Sequence, residues 1–135
     1  MMSGRDALRA QIKVELTTMV RGQPRLLCAW CSQPLIGGFD IHEAIIKRSK
    51  VVRGKQHLIF VLENCVPLHR ECHDVSGQSA EMKRRCIEYL CSRLSARQVA
   101  VWHISLWREH GLSVPQATLP EHDSEKEWRR YLWSI

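Results

Sequence analysis

Two short pairs of metal-ligating residues carry the most evident chemistry in this chain. Cys28 and Cys31 form the first pair, and His69 and Cys72 form the second, each with two residues between its members. That spacing lets one tight turn aim two side chains at a single point, and a tetrahedral zinc ion takes four such ligands. One pair alone would be weak evidence, but the two together predict a structural Zn²⁺ site.

The remaining cysteines do not suggest a disulfide framework. The first residues show no basic and then apolar leader, and no apolar run approaches the ~20 residues of a membrane span. We therefore expect a cytoplasmic protein, in a reducing compartment where paired cysteines bind metal more often than each other. Cys86 and Cys91 are expected to fill the core. Cys65 is an alternative fourth ligand, although it lacks the two-residue spacing to Cys72.

Two histidines, His42 and His73, remain as candidate ligands once the four predicted zinc ligands are assigned. His73 directly follows Cys72, and adjacent residues of a helix point about 100° apart, so His73 should face away from the zinc. His42 lies in a segment predicted to be a strand, from which it can meet His73. Two imidazoles suit a transition metal, and with magnesium water and phosphate would have to complete the ligand shell. The sequence thus predicts a second, more weakly held divalent cation.

Periodicity and turn residues indicate the elements that position these side chains. The predicted elements are a helix over 5–20, strands over 39–46 and 57–63 joined by a basic loop over 47–56, a helix starting at residue 69 or 70, and helices over 79–94, 95–110 and 124–132, with a linker over 114–120. Ser95 and Ser124 are expected N-caps, and Gly111 is an expected helix stop. The prediction is one α+β domain over 1–135, mostly α.

These residues resemble the HNH endonucleases, in particular the small zinc-bearing type found in bacteriophages and mobile elements, which implies the cytoplasm of a bacterial or phage-infected cell. The matching residues are Cys28-x-x-Cys31, Asp40-Ile41-His42-Glu43, Asn64 and Leu68-His69-x-x-Cys72-His73. The family usually has cysteine where this chain has His69. The resemblance implies a ββα-metal core over 28–78, flanked by an N-terminal helix within 1–22 and a helical extension over 79–135. It also implies phosphodiester hydrolysis in DNA with Mg²⁺, Mn²⁺ or Ni²⁺, either as nicking or as double-strand cutting by a homodimer.

The resemblance gives each residue near the second cation a role. His42 and His73 correspond to the cation's ligands, and Asn64 corresponds to the residue that fixes the loop and orients the base. Glu43 corresponds to the general base, which in the family is usually histidine. Because a carboxylate is a weaker base than an imidazole, a second assignment stays open. In it His42 is the base and Asp40, on the same strand face, binds the cation.

The balance of charge favours a polyanionic partner. The net charge is +6 and the isoelectric point is about 9.2. The densest basic cluster lies in the loop between the two predicted strands and consists of Lys47, Arg48, Lys50, Arg53 and Lys55. Side chains of this kind contact phosphates and position DNA without reading its sequence. We expect DNA as the partner and no membrane.

Two other functions remain open at this point. A zinc-stabilised nucleic-acid-binding module without cleavage activity is suggested by Glu43, which stands where the family usually has a histidine base. A scaffold or assembly factor would use the zinc-bound fold only for stability. Both keep the zinc site and differ from a nuclease in lacking hydrolysis.

Overall fold

Five α-helices and one two-stranded sheet make up the part of the chain that the structure describes. The computed structural model describes residues 4–19, 26–76, 79–112 and 119–135. The elements are α1 (Gly4–Met19), β1 (Asp40–Glu43), β2 (Cys65–Leu68), α2 (Arg70–Ser76), α3 (Ala80–Arg93), α4 (Ala96–His110) and α5 (Glu125–Ser134). The predicted mostly helical α+β class is confirmed. Most of the predicted linker lies outside the described residues.

Serine side chains set where the last three helices begin. The hydroxyl oxygens accept hydrogen bonds from backbone N–H groups three residues later, Ser79 from Met82 at 3.1 Å, Ser95 from Gln98 at 3.0 Å and Ser124 from Glu127 at 3.2 Å. Each bond satisfies an N–H group that the helix itself leaves without a partner. Gly111 ends α4 in the left-handed conformation, with φ of +67°. The predicted caps at Ser95 and Ser124 and the predicted stop are therefore confirmed.

The predicted second strand over 57–63 is wrong. The chain there forms a 3₁₀ helix over Arg53–Leu58 and then a series of turns, and the strand that pairs with β1 is β2. An apolar run such as the one over 58–62 is equally compatible with a buried strand and with another buried segment. Ile59 and Phe60 are buried, but as parts of turns. β2 was overlooked because it contains Pro67, which has no N–H to donate to a sheet.

The sheet is antiparallel and regular over its short length. Asp40 pairs with Leu68, and His42 pairs with Val66. All four residues of β2 are buried, because the strand separates two apolar clusters. One cluster packs β2 against α3, α4, α5 and the segment around Cys28, and the other packs α1 against the turns over 51–60. No helix in the described ranges is long and apolar enough to cross a membrane.

His103 on α4 is buried where α4 packs against α5. Its Nδ1 lies 2.9 Å from the hydroxyl oxygen of Tyr131. Burial, together with the charge of Lys83, lowers the pKa of His103 from 6.5 to about 4. Between these two pH values the unfolded chain binds a proton that the folded chain does not bind. The stability that His103 contributes is thus present above pH 6.5 and lost as the pH falls through about 4.

We expect this histidine to make unfolding depend on pH by up to about 3 kcal/mol. Urea unfolding of the wild type and of His103→Gln should be compared from neutral pH down to pH 4. Other acid-labile groups act on both proteins, so the difference between the two curves isolates His103. Parallel curves over this range would contradict the expectation.

Candidate functional site

The first cysteine pair lies in a small turn that is attached to the sheet. One antiparallel bridge joins Leu27 to Pro34 and closes this turn around the two cysteines. The N–H of Ala29 donates to the carbonyl of Pro67 in β2 at 3.0 Å. Cys28 is almost fully buried, so the turn also packs against the core. These contacts place the first pair beside the start of α2, where the second pair lies.

The four predicted zinc ligands converge. One ligand atom from each of Cys28, Cys31, His69 and Cys72 lies within 4.8 Å of the others. His69 Nδ1 is 3.3 Å from the sulfur of Cys31 and 3.8 Å from the sulfur of Cys72. Three sulfur atoms and one imidazole nitrogen form a donor set typical of structural zinc. The cluster can therefore hold a metal ion such as zinc, as the sequence predicted.

A hydrogen bond orients the histidine of this cluster. His69 Nε2 lies 3.0 Å from the carbonyl oxygen of Pro34, a group that can only accept. Nε2 must therefore carry the proton, which leaves the lone pair of Nδ1 facing the three sulfur atoms. The same bond is the largest cause of the raised pKa of His69. A ligand histidine whose second nitrogen donates to a carbonyl is the usual arrangement at metal sites.

Backbone donors favour a thiolate in this cluster. Burial on its own would raise the pKa of Cys28, but hydrogen bonds from the backbone N–H groups of Cys31, His69 and Trp30 lower it to about 7. Burial and the neighbouring thiols raise the pKa of Cys72 to about 12. One thiolate of the cluster therefore forms readily, and its negative charge opposes the ionisation of a second thiol. A dication at the centre would remove that opposition, as thiolate ligation requires.

The structure brings a second group of side chains together on the other side of α2. His42 Nδ1 and His73 Nε2 lie 3.3 Å apart, and their ring centroids are 5.2 Å apart. His73 Nδ1 lies 3.1 Å from an Asp40 carboxylate oxygen, and Arg70 donates to the other oxygen at 3.2 Å. Because the carboxylate accepts from Nδ1–H, the lone pair of His73 Nε2 points toward His42. This is the aspartate-to-histidine pairing found behind many metal ligands.

His42 presents an uncharged imidazole to this group. It is 5% exposed, and burial, followed by the charges of Lys47 and His73, lowers its pKa to about 4. A neutral imidazole keeps a lone pair free, as metal binding requires. At 3.3 Å the two facing nitrogens can share one hydrogen bond, and a cation would bind the tautomers in which both nitrogens present a lone pair.

Glu43 directly follows His42 in β1, and the register of the strand gives it a different partner. It pairs with Cys65 across the sheet, whereas His42 pairs with Val66. Successive residues of a strand point to opposite faces, so Glu43 and His42 lie on opposite sides of β1. The Cys65 face packs against α1, and the Val66 face packs against the zinc cluster and α3. A carboxylate on the first side is poorly placed to act on a water molecule at the second.

Asn64 is fully buried and uses its entire hydrogen-bonding capacity on the backbone. Its Oδ1 accepts from the N–H groups of Ile45 and Ile46, both at 2.9 Å. Its Nδ2 donates to the carbonyls of Ile46 at 2.8 Å and Ile59 at 3.0 Å. One side chain thus fixes the chain that leaves β1 against the turn that precedes β2. Asn64 acts on the site through the backbone and lies too deep to touch a substrate.

Replacing Asn64 by alanine should destabilise the fold by roughly 3–5 kcal/mol, because four backbone groups, most of them buried, lose a hydrogen bond. The free energy of unfolding, measured with urea, tests this expectation. His57→Ala is the control, since His57 is exposed on the same connection and should change the value by less than about 0.5 kcal/mol. Equal stabilities for the two variants would contradict the role given to Asn64.

The predicted basic loop contains the 3₁₀ helix Arg48–Lys50 and the first part of the 3₁₀ helix over Arg53–Leu58. Lys50 is exposed, whereas Lys47, Arg48 and Lys55 are half-buried. The side chain of Arg53 lies outside the described residues. The charge of Lys47 contributes to the lowered pKa of His42 and also acts on Glu43, so this loop cation lies near the start of the connection that follows β1. The loop is therefore less open than its sequence suggested.

Two contributors to these sites were missed in the sequence. The carbonyl of Pro34 orients His69, and a backbone carbonyl has no signature in a sequence. Arg70 holds Asp40, and its position directly after a predicted ligand was the only available signal.

Comparisons with models of protein families, with curated proteins and with solved structures find no match.

Proposed function

We propose that this protein is a metal-dependent DNA endonuclease of the HNH type that hydrolyses phosphodiester bonds. The observation that carries the proposal is the pair of imidazole nitrogens of His42 and His73, 3.3 Å apart and outside the Cys₃His cluster. One ligand group would stabilise the fold, and the other would perform chemistry. A purely structural zinc protein has no need for the second group.

The residues of the second group, around His42 and His73, would have different roles. His42 and His73 would hold the cation, and Asp40 would keep His73 in the correct tautomer. Both carboxylate oxygens of Asp40 are already engaged, by His73 and Arg70. That engagement supports Asp40 as a positioning residue and speaks against its use as a direct ligand.

A divalent cation bound there would supply Lewis-acid stabilisation of the charge that develops on the phosphate and on the leaving oxygen. The chain's own residues would keep that region ordered. Asn64 holds the backbone after β1, and Lys47 adds a positive charge near the histidines. Exposed Lys50 would contact phosphates that flank the scissile bond.

The experiment that tests this proposal is a nicking assay on supercoiled plasmid. The zinc-loaded protein should be incubated with Mg²⁺, Mn²⁺ or Ni²⁺ in separate reactions, and with none of them as the control. We expect conversion to open circles that requires one of these ions. Intact plasmid with all three ions would overturn the proposal.

The position of Glu43 favours a second candidate function. If no base reaches the cation, the same fold would serve as a zinc-stabilised module that binds nucleic acid without cutting it. Salt-dependent DNA binding without nicking would select this candidate.

A further inference from the structure

A groove of about 860 Å³ runs between the turn that carries the first cysteine pair and helices α3 and α5. That volume is in the range of ~300–1,000 Å³ typical of ligand sites. Its lining is rich in arginine and aromatic side chains and includes Trp30, Arg84, Arg85, Tyr89, Arg93 and Trp133. His42 and His73 are not among the lining residues, so the groove is separate from the proposed cleavage site.

The wall of the groove nearest the cysteine turn is held in place by Arg85. Its Nη1 donates to the carbonyl of Trp30 at 2.7 Å, and its guanidinium lies 4.1 Å from the centre of the Trp30 ring. Arg85 also donates to Glu81 at 2.9 Å. Three contacts fix this guanidinium, so this wall is a preformed surface.

The acidic residues around the groove are already engaged. Glu81 forms ion pairs with both Arg84 and Arg85, and Glu88 forms one with Arg129. Glu88 is itself a lining residue, and its pairing with Arg129 offsets the negative charge that would otherwise repel an anion. The groove is therefore net basic on its own surface.

Arg93 is the lining arginine for which no carboxylate partner is found in the described part of the chain. Its guanidinium lies 4.4 Å from the centre of the Tyr89 ring, and its Nη1 is buried without a hydrogen-bond acceptor there. Burial lowers the pKa of Arg93 to about 10. An orphaned charged donor in partly dry surroundings is costly, and an anion in the groove would offset the charge. A turn of the side chain would give Nη1 a phosphate oxygen to donate to.

Trp133 lies at the rim of the same groove and is 52% exposed. Leu27, also at the rim, is 41% exposed. The groove thus contains both an open indole and an arginine without a carboxylate partner, and a planar stacking surface together with a cation is what binds unpaired nucleotides.

We propose that this groove binds a single-stranded segment of nucleic acid, with a phosphate at Arg93 and a base stacked on Trp133. This inference rests on the proposed function, from which it takes the class of the ligand. Duplex DNA keeps its base faces stacked inside the helix and would leave Trp133 without that contact. The groove would thus hold a displaced or frayed strand while the histidines act elsewhere.

Fluorescence anisotropy with a short labelled oligothymidylate, without added catalytic ion, tests the proposal on the full zinc-loaded chain. Arg93→Gln and Trp133→Ala should each weaken binding at least about fivefold. Arg97→Gln is the matched control, because Arg97 is exposed on α4 outside the groove and should bind as the wild type does. Circular dichroism and zinc content establish that each variant is folded.

The salt dependence of binding distinguishes the phosphate contact at Arg93 from the stacking contact at Trp133. Loss of one phosphate contact should reduce the slope of log K against log salt by about 0.7 for Arg93→Gln, whereas Trp133→Ala should keep the wild-type slope. If neither variant weakens binding, the proposal that the groove binds single strands is wrong, but the nuclease proposal is unaffected. Wild-type protein that does not bind the oligonucleotide would also overturn it. Binding that depends on Arg93 in a protein that nicks no plasmid would support the groove and count against the nuclease.

Discussion

Replacing Cys72 by serine is expected to release the structural metal and unfold the protein. Cys72 provides one of four ligand atoms that lie within 4.8 Å of one another, and serine is a poor substitute for a thiolate. Zinc bound at such sites contributes about 10–16 kcal/mol in apparent free energy, which equals or exceeds the stability of a typical domain. Loss of most of this contribution leaves too little to keep the chain folded.

The packing around the cluster explains why unfolding should not stay local. Cys28 and Ala29 belong to the same apolar cluster as Val66 of β2 and Leu90 of α3. If the cysteine turn detaches, it exposes the face of the sheet and of α3 that it covers. With zinc bound at the cluster, the packing of α3, α4 and α5 on the sheet would thus depend on a metal ion that none of their own residues binds.

Zinc content by mass spectrometry and helix content by circular dichroism measure both parts of this expectation. Cys91→Ser is the matched control, since Cys91 is a buried thiol on α3 that is not part of the cluster. It should keep its zinc and lose only about 1–3 kcal/mol of stability. A chelator added to the wild type should reproduce the effect of Cys72→Ser. A folded, zinc-free Cys72→Ser protein would contradict the expected dependence on metal.

The features that depend on short spacings were predictable from the sequence. The ligand pairs are separated by two residues each, and a turn or a first helical turn permits few arrangements over that distance. The serine caps at positions 79, 95 and 124 act on N–H groups only three residues away. Such contacts are set by local geometry, so the helix starts followed from residue types alone.

Features that depend on contacts between distant segments were harder to predict. The four residues of β2 form a strand because they pair with the four residues of β1. The apolar segment that precedes β2 is buried as turns. The four hydrogen bonds of Asn64 join it to residues 5, 18 and 19 positions away, and no periodic pattern marks them. Strand alternation alone predicts that Glu43 and His42 lie on opposite faces of β1. The resemblance to the HNH family instead favoured catalytic roles for both of these adjacent residues.

His73→Ala is expected to reduce nicking by at least about a hundredfold while leaving the metal cluster and the fold intact. His73 is adjacent to Cys72, yet its ring contacts His42 and Asp40. The alanine variant would remove one of two imidazoles from the proposed cation site and leave Asp40 held by Arg70. The nicking rate with Mn²⁺, zinc content and the urea midpoint should be measured together. His122→Ala is the control, because His122 is exposed outside the site.

Loss of zinc in His73→Ala would show that the two ligand groups are one, which would contradict the division of labour proposed for these neighbours. The same assay decides the identity of the base. Because Glu43 lies on the opposite face of β1, we expect Glu43→Gln to keep most of the nicking activity and His42→Ala to lose it. If Glu43→Gln were inactive and still bound the cation, Glu43 would be the base despite its position. In that case the end of β1 must turn when DNA binds, so that the carboxylate can cross to the side of the histidines.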